Sequence, residues 1–219
     1  MADTQFPAEA PYDCTGCERL CAFLDAQRVA HPDWFNGPVK SFGDESAQLL
    51  IVGLAPGLRG ANRTGRPFTG DWAGDLLYPT LGKFGFADGT FDARPDDGLK
   101  LVKCMITNAV RCVPPQNKPT TAEIYNCNGY LAARMDALPR LRAVLTLGRI
   151  AHDATLVALG YRKSAFKFGH GARHSIDGLE VFNSYHCSRY NTNTRRLTTE
   201  MFEAVVADIQ GFCSQPVNG

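Results

Sequence analysis

Four short apolar runs, each bounded by turn residues and followed by a helical pattern, constrain the fold of this 219-residue chain more than anything else in it. They lie at 48–53 (QLLIVG), 101–107, 142–147 (RAVLTL) and 179–185. Their shortness and β-branched content mark them as buried strands. The helical patterns fall at 75–84, 120–138, 149–159 and 197–212. The first sets Leu76, Leu77, Leu81 and Phe84 on one side, and the second opens with Thr120 and Glu123 in a capping-box arrangement. Alternating strands and helices imply a parallel sheet covered on both faces. The expected architecture is α/β: a three-layer α/β/α sandwich around a short, mainly parallel four-stranded sheet. One domain would span 1–219, with 1–45 as an N-terminal extension. Such folds place ligands just beyond the carboxyl ends of their strands.

Composition removes several classes. Hydrophobic residues make up 44% and charged residues 21%, too apolar for a disordered chain. No apolar run approaches the roughly 18 residues of a membrane span. The opening MADTQFPAEAPYDC lacks the basic start and apolar core of a secretory signal, so a cytoplasmic, monomeric protein is expected. The net charge of +1 argues at first against a nucleic-acid partner. It hides an asymmetry, however: residues 1–50 hold eight acidic and three basic side chains. Three later stretches carry basic residues and no acid: 53–70 (Arg59, Arg63, Arg66), 161–175 (Arg162, Lys163, Lys167, Arg173) and 186–199 (Arg189, Arg195, Arg196). Brought together they form a basic face that could track a phosphate backbone; kept apart they are three solvated loops.

Eight cysteines exceed what packing alone explains. Without a secretory context, metal ligation or redox chemistry is the better reading than a disulfide framework. Cys14 and Cys17 form a CxxC, Cys21 follows one helical turn later, and Cys112 and Cys127 lie far downstream. No strand precedes the CxxC, which argues against a thioredoxin-type site, and the Cys112–Cys127 spacing fits no zinc ribbon. Four thiolates from two distant places would suit a cubane iron–sulfur cluster, but spacing alone leaves iron–sulfur and zinc level. Cys104 reads as a buried strand residue and Cys213 as a free tail residue. Cys187 follows His186, but neighbours on a strand point to opposite faces, which disfavours a Cys/His catalytic pair.

The glycine loop GLAPGLRGANRTGRPFTGD (53–71) directly follows the first strand. It has neither the GxGxxG-helix of a dinucleotide site nor the GK[ST] of a P-loop. It carries one aromatic ring, Phe68, which either stacks on a flat heterocycle or belongs to the core. It also carries the amide of Asn62. Asn108 follows the second strand, where its amide can read a nucleobase edge or cap a turn. His186 follows the last strand, where a lone histidine is structural or catalytic. Polar groups at several strand ends, with a ring on a glycine loop, converge on the ligand-binding edge of the sheet.

These residues resemble the uracil-DNA glycosylase superfamily, in its iron–sulfur branch and most closely its family 5 (b-type) enzymes. GLAPG…GANRTGRPFTGD is similar to motif 1, ITNAVRCVPP to the middle motif and HCSRYNTNTRRLT to motif 2. CTGC with Cys112 and Cys127 matches the branch's cluster ligands, which implies a [4Fe–4S] cofactor of structural role. The resemblance implies hydrolysis of the N-glycosidic bond of uracil, and of other deaminated bases, in DNA. Phe68 would stack on the flipped base, with Gly53, Leu54 and Ala55 lining it and backbone N–H groups binding its carbonyls. Asn108 would read the base edge, and His186 would stabilise the negative charge that develops on the base. Many superfamily members carry an acid or amide where Ala55 stands, so the attacking water is expected to be oriented by Asn62 instead. Arg189 and Tyr190 would fill the gap in the duplex, while Arg66, Arg195 and Arg196 contact phosphates. The competing readings are a non-catalytic, metal-stabilised nucleic-acid-binding module and a hydrolase using Cys187 with His186.

Overall fold

The computed structural model describes residues 6–216, so the first five residues of the expected extension lie outside the described residues. The chain runs α1 (Glu18–Ala30), β1 (Phe42–Gly43), β2 (Leu49–Gly53), α2 (Ala61–Thr64) and α3 (Trp72–Lys83). It continues through β3 (Ala87–Asp88), β4 (Lys100–Leu101), β5 (Cys104–Asn108), α4 (Thr121–Asp136), β6 (Ala143–Leu147) and α5 (Arg149–Ala158). The last elements are β7 (Arg173–Ile176), β8 (Leu179–Ser184), α6 (Arg189–Asn193) and α7 (Thr199–Cys213).

The four expected strands are β2, β5, β6 and β8, and they pair in parallel. Short antiparallel strands β1 and β7 border them, so the sheet has six strands in the order β1-β5-β2-β6-β8-β7. The four-stranded expectation therefore describes the parallel centre, and the edges widen it. These edge strands are two and four residues long, too short to show as apolar runs.

Alternation along the strands divides the core into two layers. Leu49 and Ile51 pack with Leu77 and Leu81 of α3 and Phe202 and Val206 of α7. Leu50 and Val52 face the other way, against Leu131 and Met135 of α4 and Ala151 and Ala154 of α5. Helices on both faces follow directly from two apolar faces on one strand. The expected strand at 101–107 breaks at Lys103, whose backbone is left-handed (φ 51°). The capping box at α4 forms as read: Glu123 N–H donates to Thr120 Oγ1 at 3.3 Å and Thr120 N–H to Glu123 Oε2 at 2.7 Å.

The N-terminal segment contributes α1, whose Leu20 and Leu24 pack with Val110, Val113 and Tyr130. Its acids neutralise buried cations. Glu9 meets both Arg111 and Arg134, at 3.3 and 2.8 Å, and Glu45 meets Arg134 at 2.7 Å. Cys104 is a buried residue of β5, as read, whereas Cys213 ends α7 and packs partly buried against the core rather than lying in a free tail.

Candidate active site

All four parallel strands end on one side, and the segments leaving them enclose a cavity of about 490 Å³. That volume suits a small flat ligand. Leu54, Ala55, Pro56 and Gly57 enter it after β2, Asn108 at the end of β5, Leu147 and Gly148 at the end of β6, and His186 after β8.

Phe68 reaches the same space from the glycine loop. Its backbone is left-handed (φ 52°), a conformation that costs free energy in a non-glycine residue and recurs at ligand sites. Its ring centroid lies 6.0 Å from that of His186, tilted by 30°. Gly53 makes this approach possible: a Cβ there would stand 2.4 Å from Asn108 Oδ1 and 2.7 Å from Phe68 Cζ. Any larger residue would push apart the ring and the amide that share the cavity wall.

His186 Nδ1 is buried without a hydrogen-bond partner among the described residues. Burial pushes the imidazole pKa down to about 4, so the ring is neutral near pH 7. The Asn191 side chain donates to the His186 carbonyl at 2.8 Å, fixing the backbone that carries the ring. Cys187 points into the core, and burial pushes its thiol up to about 12. A thiol held protonated and buried is no nucleophile, which removes the Cys187/His186 hydrolase reading.

Two expected site residues are placed elsewhere. Asn62 is fully buried; its Nδ2 donates to Asn36 Oδ1 at 2.9 Å, and it is not among the cavity-lining residues. Its Nδ2 ties the glycine loop to the N-terminal segment, while its Oδ1 is buried without a hydrogen-bond partner among the described residues; the side chain is held outside the cavity lining, which corrects its placement beside the attacking water. Arg66 is likewise buried, with both Nη atoms 2.7 Å from the Asp97 carboxylate and Nε 2.7 Å from Thr69 Oγ1. A guanidinium so enclosed does not reach a phosphate, and that assignment is also corrected. Arg189, Tyr190, Arg195 and Arg196 are exposed on α6 and just beyond it.

The cavity also contains residues that sequence reasoning passed over: Asp71, Trp72, Asn117 and Arg149. Asp71 is the informative one. Its Oδ1 accepts from the Ala73 N–H at 3.2 Å and caps α3. Its Oδ2 faces the glycine loop, where a Cβ on Gly60 would come within 2.4 Å. Burial raises the Asp71 pKa, with a smaller push from Asp75, against the pull of the Ala73 and Gly74 backbone N–H groups. An acid straight after a glycine loop is a helix N-cap signal. The apolar pattern begins at 75, whereas the helix starts at Trp72, so the sequence does not show Asp71 as its cap.

Cys14, Cys17, Cys112 and Cys127 converge on one apolar cluster, beneath Leu20, Val110 and Val113. Burial first, and then the neighbouring cysteines, raise the Cys112 and Cys127 thiol pKa values, the latter to about 11. Among the described residues, no three His, Cys, Asp or Glu side chains gather closely enough to hold a single metal ion. Four thiols drawn from two distant segments into an apolar nest nevertheless have the donor chemistry of an iron–sulfur ligand set.

The strand-end cavity of this α/β protein, with a ring, an amide and a neutral imidazole in its wall, has the size and lining that suit a flat heterocycle at the carboxyl edge of the sheet. The profile of the Uracil DNA glycosylase superfamily matches residues 40–210, and the chain belongs to that superfamily. A type-5 uracil-DNA glycosylase of Thermus thermophilus is 44% identical over 202 residues, covering 89% of this chain and 91% of that protein. One of Pyrobaculum aerophilum is 39% identical over 89% of this chain and 86% of its own length. A type-4 enzyme of Sulfurisphaera tokodaii is 30% identical over 74% of this chain and 70% of its own length. Within the superfamily the chain falls with the type-5 enzymes.

Proposed function

We propose that this protein is a monofunctional DNA glycosylase that removes uracil from DNA, and also hypoxanthine, xanthine and hydroxymethyluracil, leaving an abasic site. The observation that carries the reading is the shared cavity of Phe68, Asn108 and His186 at the carboxyl ends of the strands. The nucleotide leaves the duplex at a cost of about a few kcal/mol. Phe68 stacks on the base, with Leu54 and Ala55 against it and Gly53 behind the ring, and Asn108 reads its edge.

As the glycosidic bond lengthens, C1′ becomes cationic and the base becomes an anion. Neutral His186 donates one N–H to the oxygen on which that charge develops. The water oxygen bonds to C1′ as the bond to the base nitrogen breaks, and the proton that the water gives up ends on the displaced base. Asp71 supplies what Asn62 does not: a carboxylate in the cavity that orients the water and opposes the positive charge at C1′. Arg189 and Tyr190 enter the gap in the duplex, and Arg195 and Arg196 contact phosphates. The protein acts as a single-domain monomer on DNA.

Cys14, Cys17, Cys112 and Cys127 would hold a [4Fe–4S] cluster. When bound, the cluster supplies a covalent cross-link between the N-terminal segment and the middle motif rather than electron transfer, since hydrolysis moves no electrons.

Purified protein incubated with duplexes carrying each base opposite each partner should give alkali-labile sites at uracil and at the other deaminated bases. Absence of cleavage at every base would refute the enzyme reading. Cleavage at uracil alone would refute the broad range.

A further inference from the structure

The mouth of the cavity carries a large aromatic side chain for which neither the chemistry nor the core accounts. Trp72, the first residue of α3, is 46% exposed, yet its polar edge and one face are both engaged. Its Nε1–H donates to Thr192 Oγ1 of α6 at 3.0 Å, across the cavity mouth. The Arg189 guanidinium lies 5.4 Å from its ring centroid. α6 has only five residues and is too short to be stable alone. Its side-chain ties include the Ser188 cap, the Asn191 bond to the His186 carbonyl and the Trp72 indole. Of these, only the Trp72 bond comes from the opposite wall.

We propose that Trp72 is a positioning residue for duplex substrate, holding Arg189 and α6 ready to fill the space vacated by the flipped nucleotide. The inference rests on the assignment of Arg189 as a gap-filling residue. A flipped nucleotide leaves a hole only in a duplex, where side chains that enter between bases act as wedges. An arginine free in solvent samples many rotamers and loses them on insertion. Parked on an indole face, it has already lost most of that freedom, and the Thr192 bond sets the helix that carries it. The face of Trp72 is the more important part, because arginine stacks well on an indole. A uracil in single-stranded DNA has no opposite stack to hold open, so this help is specific to the duplex.

The test compares single-turnover rates on uracil in a duplex and in the matching single strand. Arg189→Ala comes first: its duplex loss should exceed its single-strand loss by fivefold or more. Equal losses would overturn the gap-filling assignment and this proposal with it. Where Arg189→Ala does show that selectivity, Trp72→Ala should lose about five- to tenfold more on the duplex than on the single strand. Trp72→Phe, which keeps a ring face without the N–H, should fall between Trp72→Ala and the wild type. The losses in the double variant on duplex should be less than additive, because the indole acts largely through the arginine. Equal losses for Trp72→Ala on both substrates would overturn the Trp72 proposal while leaving the Arg189 assignment standing. Additive losses in the double variant would do the same.

Discussion

Replacing Asp97 by Asn tests whether Arg66 belongs to the fold or to the DNA-binding face. The Arg66 guanidinium is held bidentately by Asp97 at 2.7 Å, with side-chain exposures of 5% and 1%. Its plane is further enclosed by Phe42, Tyr78 and Phe91, whose ring centroids lie 5.2, 5.5 and 5.8 Å away. Asp97 also accepts the backbone N–H groups of Asp92 and Leu99, each at 3.0 Å, so the pair organises the loop that carries it. Breaking a buried pair from one side costs about 3–5 kcal/mol, because the remaining charge stays unpaired. The amide is isosteric and the three rings still face the cation, so the lower end, about 3 kcal/mol, is expected. In a chain of this length that corresponds to a fall in Tm of roughly 6–12 °C. The Arg66 guanidinium holds the Asp97 carboxyl well below the usual carboxylate range. The native state therefore binds fewer protons than the unfolded chain in acid, and the pair's stabilisation is full above about pH 4 and lost as pH falls below it. The gap between wild type and Asp97→Asn in urea unfolding should be constant near neutrality and close in acid. Arg66→Met combined with Asp97→Leu should regain most of the lost stability. Salt titration of DNA binding by that double variant should keep the wild-type slope, whereas a lost phosphate contact would reduce it by about 0.9. A reduced slope, or an Asp97→Asn protein as stable as wild type, would refute the structural assignment.

His186→Ala should lower the single-turnover rate by about 100-fold or more while affinity for abasic DNA changes little, the loss typical of removing one donor to a developing oxyanion. Because burial holds the wild-type imidazole down to about 4, the pH–rate profile should show no inflection near 6.5; one there that vanishes in His186→Ala would contradict a neutral donor. Asp71→Asn retains an acceptor for the α3 cap, so the helix should survive while the rate falls by about tenfold or more. The Asp71 carboxyl is raised by burial and works as the anion, so wild-type activity should fall with decreasing pH through a value above the usual carboxylate range; a limb that persists in Asp71→Asn would reject its role. Cys112→Ser should lose iron on elemental analysis together with visible absorbance, and a wild-type protein that purifies with zinc would overturn the cluster proposal.

The sequence made some of this plain and concealed the rest for identifiable reasons. Strand β2 is legible because burial on both faces leaves an uninterrupted apolar run, and β5, β6 and β8 because each keeps a short apolar centre bounded by turn residues. The α4 boundary is legible because Thr120 and Glu123 satisfy each other's backbone groups locally. β1 and β7 are not, since their place depends on pairing with β5 and β8 rather than on their own composition. Phe68, Asn108 and His186 could be grouped because parallel topology fixes where strand ends lie. Asn62 and Arg66 could not be excluded in the same way. Each has the right chemistry for the expected role, and only tertiary structure shows otherwise: Asp97 commits the Arg66 guanidinium, and Asn36 holds the Asn62 donor in a buried position outside the cavity lining. Asn117 reaches the cavity from a left-handed loop (φ 56°), a conformation that no local pattern announces.

The same distinction between free and committed groups resolves the near-zero net charge. Glu9 and Glu45 lie among the acids of the N-terminal segment, and they are the partners that let Arg111 and Arg134 be buried beside the cysteine cluster. Glu123 similarly holds Arg19 from α1 at 2.7 Å, and Asp97 holds Arg66. Outside these pairs, Arg189, Arg195 and Arg196 stay exposed on and just beyond α6, Arg149 stands in the cavity wall, and Arg59 and Arg63 are exposed on the glycine loop. Exposed charges more than about 8 Å apart are largely screened at physiological salt. The field at the cavity rim is therefore set mainly by its own arginines and less by acids beyond that distance. A chain whose charges nearly cancel overall can thus present a locally basic face, because several of its acidic residues are paired with arginines that build the fold.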